Sequence, residues 1–87
     1  MKTNTPQRTN EGAFLLVARA RTKLNQAGMA KALGVTAQFL GRCEKGFVGL
    51  PAKFVLPFTK ITKSKWQHFV DARAEDESAI LTAEILK

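Results

Sequence analysis

The feature that most constrains the fold of this sequence is a pair of short amphipathic segments separated by a glycine-containing turn. Each segment has a candidate N-cap residue, apolar residues that share one helical face, and a glycine at its end. In the first segment, QAGMAKAL, these are Asn25, the inward-facing Met29, Ala30 and Leu33, and Gly34; in the second, AQFLGRCEK, they are Thr36, the inward-facing Leu40 and Cys43, and Gly46. Because only Leu33-Gly34-Val35-Thr36 separates the two segments, the spacing predicts two helices joined by a tight turn.

The rest of the chain also has helical periodicity, and no run alternates between apolar and polar residues for long enough to form a sheet. A first helix is predicted over residues 11–21, with Asn10 as its cap. Its inward positions are predicted to be Phe14, Leu15, Ala18 and Ala20. The sequence therefore predicts an all-α domain of five or six helices.

The later helices are predicted from prolines and from a capping box. Pro51 is placed to open a helix, and Pro57 is expected to kink or end it. Ser64 and Gln67 have capping-box spacing and predict a fifth helix that runs to Ala72. Residues 76–87, DESAILTAEILK, are also helical in pattern. We divide the chain into an N-terminal arm (residues 1–10), a main domain (11–72) and a C-terminal helix (73–87).

Length and composition exclude several classes of protein. A chain of 87 residues predicts one domain with a single layer of core. One cysteine cannot form an intramolecular disulfide, and one histidine beside it offers no metal cluster. We find no pairing of nucleophile and base and no glycine-rich phosphate loop, so we expect no enzymatic activity, no cofactor and no metal. With no apolar run that could span a bilayer or serve as a signal peptide, we expect a cytoplasmic, nucleoid-associated protein without membrane contact.

The charge is unevenly distributed along the chain. Residues 1–70 contain 12 Lys and Arg and only two acidic residues, whereas residues 71–87 contain two basic and five acidic residues. The basic part indicates a polyanionic partner. A basic helix at a membrane surface would place its lysines opposite a broad apolar face, but here the cations are spread over several short segments. Nucleic acid is therefore the favoured partner.

Residues 24–46, LNQAGMAKALGVTAQFLGRCEKG, resemble the helix-turn-helix of the lambda-repressor and Cro-like (Xre-type) family of phage, plasmid and bacterial regulators. The LNQ opening, the LGVT turn and the glutamate and glycine at the end agree with the family pattern in register, and the likeness extends over about residues 11–72. The resemblance implies a five-helix, lambda-repressor-like DNA-binding domain that reads the major groove with residues 37–45. It also implies a structural ion pair between Arg19 and Glu44.

The outward face of the second short helix carries the candidate DNA contacts. With Leu40 and Cys43 turned inward, the outward positions are 37, 38, 41, 42 and 45. Family resemblance marks Ala37, Gln38 and Arg42 as base-reading residues, and their chemistry suits a thymine methyl, adenine and guanine respectively. Residues expected at the DNA backbone are Asn25, Gln26, Gly41 and Lys45.

The C-terminal segment is acidic with an apolar stripe, so it is expected to dock on protein rather than phosphate. We predict a homodimer on a palindromic operator of double-stranded DNA. The candidate dimer contacts are Trp66, Phe69, Ile80, Ala83 and Leu86. The favoured function is a small dimeric transcriptional repressor. Two alternatives are an antitoxin-like protein that neutralises a small partner protein and autoregulates its operon, and a DNA-packaging or maintenance adaptor.

Overall fold

The structure is a computed structural model that describes residues 9–85, without the side chains of residues 83 and 84. Within that range it is all-α, with five α-helices, one short 3₁₀ turn and no strand. The helices are α1 (Asn10–Ala20), α2 (Gln26–Leu33), α3 (Ala37–Lys45), α4 (Val55–Thr62) and α5 (Trp66–Ile85), and the 3₁₀ turn is Ala52–Phe54. The predicted all-α class is confirmed. Residues 1–8 of the predicted arm lie outside the described range.

The ends of α2 and α3 are fixed by the local chemistry that the sequence predicts. The side chain of Asn25 accepts a hydrogen bond from the Gly28 N–H at 2.8 Å, and Thr36 accepts one from the Phe39 N–H at 3.0 Å. Gly34 ends α2 in the left-handed conformation, with φ of 82°, which an L side chain rarely adopts. A three-residue turn therefore joins the two helices.

The core is formed where α1, α2 and α3 meet the faces of α4 and α5. Its buried members are Leu15, Ala18, Met29, Ala30, Leu33, Leu40, Cys43, Leu50, Phe58 and Phe69. The inward positions predicted for α2 and α3 are all among them, and Phe14 is partly buried against them. The prediction for Ala20 is wrong, since this residue is exposed. It lies two residues after Ala18, about 200° further around the helix, and so faces solvent.

Two helix starts differ from the sequence prediction. Thr9, not Asn10, caps α1, because the Gly12 N–H donates to its hydroxyl at 3.0 Å. Pro51 does not open a long helix; a 3₁₀ turn follows it and α4 begins only at Val55. Pro57 then falls in the first turn of α4, where a missing N–H leaves no intrahelical bond unmade. Helix α4 continues past Pro57 to Thr62, so the predicted early end does not occur, and this position of the proline requires no kink.

The predicted division between residues 72 and 73 falls inside one continuous helix, α5. Ser64 belongs to the end of α4, where its N–H donates to the Thr59 carbonyl at 2.9 Å, and α5 begins two residues later. Arg73 forms an ion pair with Glu11 of α1 at 2.8 Å and also donates to the Leu50 carbonyl. The first half of α5 is thereby fixed against α1.

Asp76 marks the last point at which α5 is fixed to α1. Its carboxylate accepts hydrogen bonds from the first two N–H groups of α1, at 2.8 and 3.0 Å. A carboxylate at a helix N-terminus is favourable both as a hydrogen-bond acceptor and as a negative charge. Beyond it, every side chain of α5 that the structure describes is exposed. We call residues 77–85 the α5 overhang.

Candidate nucleic-acid interface

Three polar side chains on α3 form one exposed stripe. Gln38, Arg42 and Lys45 are all exposed, and their spacing of four and three residues places them on the same helical face. Ala37, the remaining predicted base-reading residue, is only half-buried at the start of the same helix. The structure therefore brings these four predicted contact residues to one side of α3.

A buried carboxylate holds this stripe in place. Glu44 is only 1% exposed, and its oxygens accept hydrogen bonds from Arg19 Nε at 2.6 Å and from Arg19 Nη2 at 3.2 Å. Gln26 Nε2 donates to the same carboxylate at 3.0 Å. The Arg19–Glu44 ion pair implied by the family resemblance is therefore present. It links α1, α2 and α3 through one side chain.

Close backbone packing fixes α1 against α3 as well. A β-carbon added to Gly12 would lie 2.6 Å from the carbonyl oxygen of Glu44, so any side chain at this position would force the two helices to shift apart. Gly12 and Arg19 are seven residues apart and therefore lie on the same face of α1. One face of α1 thus carries both the close approach to α3 and the ion pair with it.

Gly41 lies differently from the sequence prediction. It was expected to face the DNA backbone, but it is buried, and an added β-carbon would be 3.3 Å from both amide atoms of Gln26. The reason is the hydrogen bond to Glu44, which lays the Gln26 amide across this part of α3. Gln26 itself is half-buried, with one of its N–H groups already engaged, whereas Asn25 is exposed at the start of α2. Gly41 is thus covered by Gln26, which is itself one of the four residues predicted to contact the DNA backbone.

A shallow cavity of about 300 Å³, which we call the α3 hollow, lies beside the exposed stripe. It is lined by Gln26, Ala37, Gln38, Gly41, Arg42, Lys45 and Phe47. Six of these residues are predicted contacts, and the seventh, Phe47, lies in the loop after α3, which was expected to be exposed at the flanking DNA backbone without a named contact residue. Its side chain is 51% exposed, which is unusual for phenylalanine.

The exposed charges of residues 9–70 have a single sign. Both acidic residues in this range, Glu11 and Glu44, are buried and engaged in ion pairs. The nine exposed charged residues are Arg21, Lys23, Lys31, Arg42, Lys45, Lys53, Lys60, Lys63 and Lys65. The surface of this range is therefore more uniformly basic than the net charge of the chain indicates, and such a surface attracts polyanions.

Cys43 has the environment of a core residue. Its thiol is fully buried, and burial, with smaller contributions from the carboxylates of Glu11 and Glu44, raises its pKa to about 11. A thiol with a raised pKa carries little of the reactive thiolate at neutral pH. Among residues 9–85, no group of three His, Cys, Asp or Glu side chains is arranged to hold a metal ion.

The predicted dimer contacts separate into three groups. Trp66 and Ile80 are accessible, with exposed fractions of 49% and 61%. Phe69 is wrong as a dimer contact because it is 2% exposed and packs edge-on against Phe14 in the core. The side chain of Ala83 and the whole of Leu86 lie outside the described part of the chain.

Comparison of the chain with protein-family models, with curated proteins and with solved structures finds no match in any of the three. Over the part of the chain that the structure describes, no helix combines the length and apolarity that crossing a membrane would need.

Proposed function

We propose that this protein is a sequence-specific binder of double-stranded DNA, with α2 and α3 acting as a helix-turn-helix of the lambda-repressor and Cro-like type. The observation that carries the proposal is the exposed stripe of Gln38, Arg42 and Lys45 on a surface where every exposed charge of residues 9–70 is positive. A helix fits the major groove of B-form DNA, and base edges there present a distinct pattern for each base pair.

Each residue of the stripe has a role that follows from its chemistry. Gln38 can form two hydrogen bonds with adenine, and Arg42 can form two with guanine. Lys45, at the last turn of α3, is assigned to the phosphate backbone, where it contributes affinity without sequence preference. The Glu44 carboxylate supports these roles indirectly, since it fixes the orientation of α3 against α1 and α2.

The proposal includes a homodimer that represses transcription from a palindromic operator. The α5 overhang supports the dimer. Ile80 lies eleven residues after the buried Phe69, which places it three turns further along nearly the same face of α5. On the first half of the helix this face packs against α1, and on the overhang it is uncovered. A second copy would bury it, as expected for a protein that contacts two half-sites.

The direct test is selection of bound duplexes from a random pool at a fixed, stated salt concentration, followed by affinity measurements on the selected site. Replacing Arg42 by alanine should cost about 1–3 kcal/mol on the selected site and relax the preference at one base pair. Replacing Lys45 by alanine should weaken binding to all duplexes similarly and lower the slope of log affinity against log salt by about one.

Lys60→Ala is the matched control, because it removes an exposed cation from α4 rather than from α3. It should leave the base preference unchanged. The DNA-reading assignment would be wrong if selection enriched no sequence, or if Arg42→Ala lost affinity equally on selected and random duplexes. Repression itself is read from a reporter whose promoter overlaps the selected site.

The dimer is tested by Ile80→Asp. This change is preferable to truncation before residue 76, because Asp76 caps α1 and its removal would destabilise the domain. Sedimentation equilibrium should show a lower mass for the variant, with an unchanged circular dichroism spectrum. An equal mass for both proteins, measured free and on the operator, would reject the role of the overhang in pairing.

The overhang also favours a second candidate function, an antitoxin-like protein that binds a different polypeptide. The overhang exposes three apolar residues, Ile80, Leu81 and Ile85, on a helix that also carries exposed acidic residues. Together they suit a partner surface that is apolar and basic. In that case an Ile80→Cys variant treated in cells with a bifunctional cross-linker that reacts with thiols and amines should become linked to a second polypeptide, and the purified chain should remain monomeric on its DNA site.

A further inference from the structure

The lining of the α3 hollow includes two residues of α3 that have almost no side chain. Ala37 and Gly41 are one turn apart and contribute only a methyl group and a backbone to its lining. Gln38, Arg42 and Lys45 add longer polar side chains around it. The hollow therefore combines a small, partly apolar interior with polar and basic neighbours.

Phe47 is the large apolar residue of this lining, and its position is fixed by the end of α3. Gly46 adopts φ of 84°, and the Phe47 N–H donates to the Arg42 carbonyl at 3.0 Å. The chain thus turns back at this point and holds the aromatic side chain next to Arg42 and Lys45. Half of that side chain remains exposed, so its apolar surface is available for contact.

We propose that the α3 hollow receives the 5-methyl group of a thymine, with Phe47 and Ala37 as the apolar contacts. The inference rests on the proposed binding of duplex DNA and specifies one base that the site selects. The thymine methyl is the apolar group that base pairs display in the major groove. Phosphate oxygens would instead be drawn to Arg42 and Lys45, and base-edge donors and acceptors to Gln38 and Arg42.

Phe47 is therefore a specificity-determining residue of the interface. Removing one methyl group from an apolar contact should weaken binding about fourfold, since each buried aliphatic carbon contributes a factor of that order. The effect is small, but it can be measured at every thymine of a site. It also depends on one methyl group in the DNA and one ring in the protein, so the two can be removed separately and together.

The experiment replaces each thymine of the selected duplex in turn by deoxyuridine, which lacks only the 5-methyl group. At one thymine or more in each half-site, the wild-type protein should bind the deoxyuridine duplex about fourfold more weakly. Phe47→Ala should clearly reduce that discrimination at those positions, with Ala37 left as the smaller apolar contact. Because Phe47 is half-exposed, the variant should fold, and its thermal unfolding is measured alongside.

Leu56→Ala is the matched control, since it removes an exposed apolar side chain of similar accessibility from α4. It should keep the wild-type ratio between the two duplexes. If the protein selects a sequence but no thymine methyl affects its affinity, or if Phe47→Ala keeps the full discrimination, the methyl-reading role is overturned while the proposed function stands. If no duplex is bound, both are overturned.

Discussion

Replacing Glu44 by glutamine tests whether one carboxylate holds α1, α2 and α3 together. The change keeps the size and shape of the side chain and removes its charge. It also places an NH₂ group where a carboxylate oxygen now accepts hydrogen bonds from Arg19 or Gln26. Donors would then face donors, and the Arg19 guanidinium, whose side chain is 15% exposed, would lose its counter-charge.

The expected loss is large relative to the stability of so short a chain. Removing one partner of a buried ion pair costs about 3–5 kcal/mol. A domain of 87 residues has a free energy of unfolding of about 4–13 kcal/mol. A loss of this size should lower the melting temperature by about 15–30 °C. Glu44→Gln should therefore be folded only at reduced temperature, if the wild-type stability lies near the lower end of that range.

Glu11→Gln provides the comparison. Glu11 also pairs with an arginine, but the Arg73 side chain is 35% exposed and can be hydrated when its partner loses its charge. The remaining amide oxygen can still accept the Leu50 N–H, which the carboxylate now accepts at 2.8 Å. We expect a loss of about 1–2 kcal/mol for this variant, well below that of Glu44→Gln.

Urea unfolding followed by circular dichroism measures both losses. A double-mutant cycle with Arg19→Met isolates the interaction of the pair, and the coupling energy should exceed about 2 kcal/mol. The reasoning is refuted if Glu44→Gln costs less than about 1 kcal/mol, or if the effects of the two substitutions simply add.

The remaining predictions concern single positions. Gly12→Ala should destabilise the protein by about 1–3 kcal/mol in the same urea assay, because the new β-carbon would meet a backbone carbonyl at 2.6 Å. Gly28→Ala should be neutral or slightly stabilising, because its β-carbon would meet only side-chain atoms, at 3.2 Å or more. Asp76→Asn should lower the melting temperature through a loss of about 1 kcal/mol at the start of α1, and an unchanged value would argue against the cap. The pKa of the Cys43 thiol is raised from 9.0 to about 11 on folding, so its contribution to stability is complete below pH 9.0 and is lost as pH rises to about 11. Cys43→Ala should remove that part of the pH dependence, and a thiol reagent at pH 8 should label the native wild-type protein only as fast as it unfolds.

Local sequence signals were sufficient to predict the bounds and the inward faces of α2 and α3. The caps Asn25 and Thr36, the terminal glycines and the inward Leu40 and Cys43 act through contacts within a few residues, so each could be predicted from the neighbouring sequence. The exposure of Gln38, Arg42 and Lys45 follows from the same helical period. The partnership of Arg19 with Glu44 was implied only by family resemblance, because the two residues are far apart in sequence.

The parts that could not be predicted depend on packing between elements. Gly41 is outward by helical period, but a hydrogen bond between Gln26 and Glu44 covers it, and no local pattern reveals that bond. Phe69 belongs to an apolar stripe that continues along α5, and only the position of α1 decides which part of the stripe is buried. The pairing of Glu11 with Arg73 spans 62 residues and has no motif.

The position of α1 also keeps the exposed carboxylates of α5 apart from the cations of α3, which bears on DNA binding. Gly12 and Arg19 face α3 on one side of α1, whereas Phe14 contacts Phe69 of α5 on the opposite side, about 140–160° around the helix axis. Helix α1 therefore lies between α3, with its exposed cations, and α5, with its exposed Asp71, Glu75 and Glu77. Phosphate attracts the cations of α3 and repels the carboxylates of α5, so an approach of α5 towards a polyanion is disfavoured. The acidic helix thus favours the orientation that the proposed function needs, although it touches no phosphate in that arrangement.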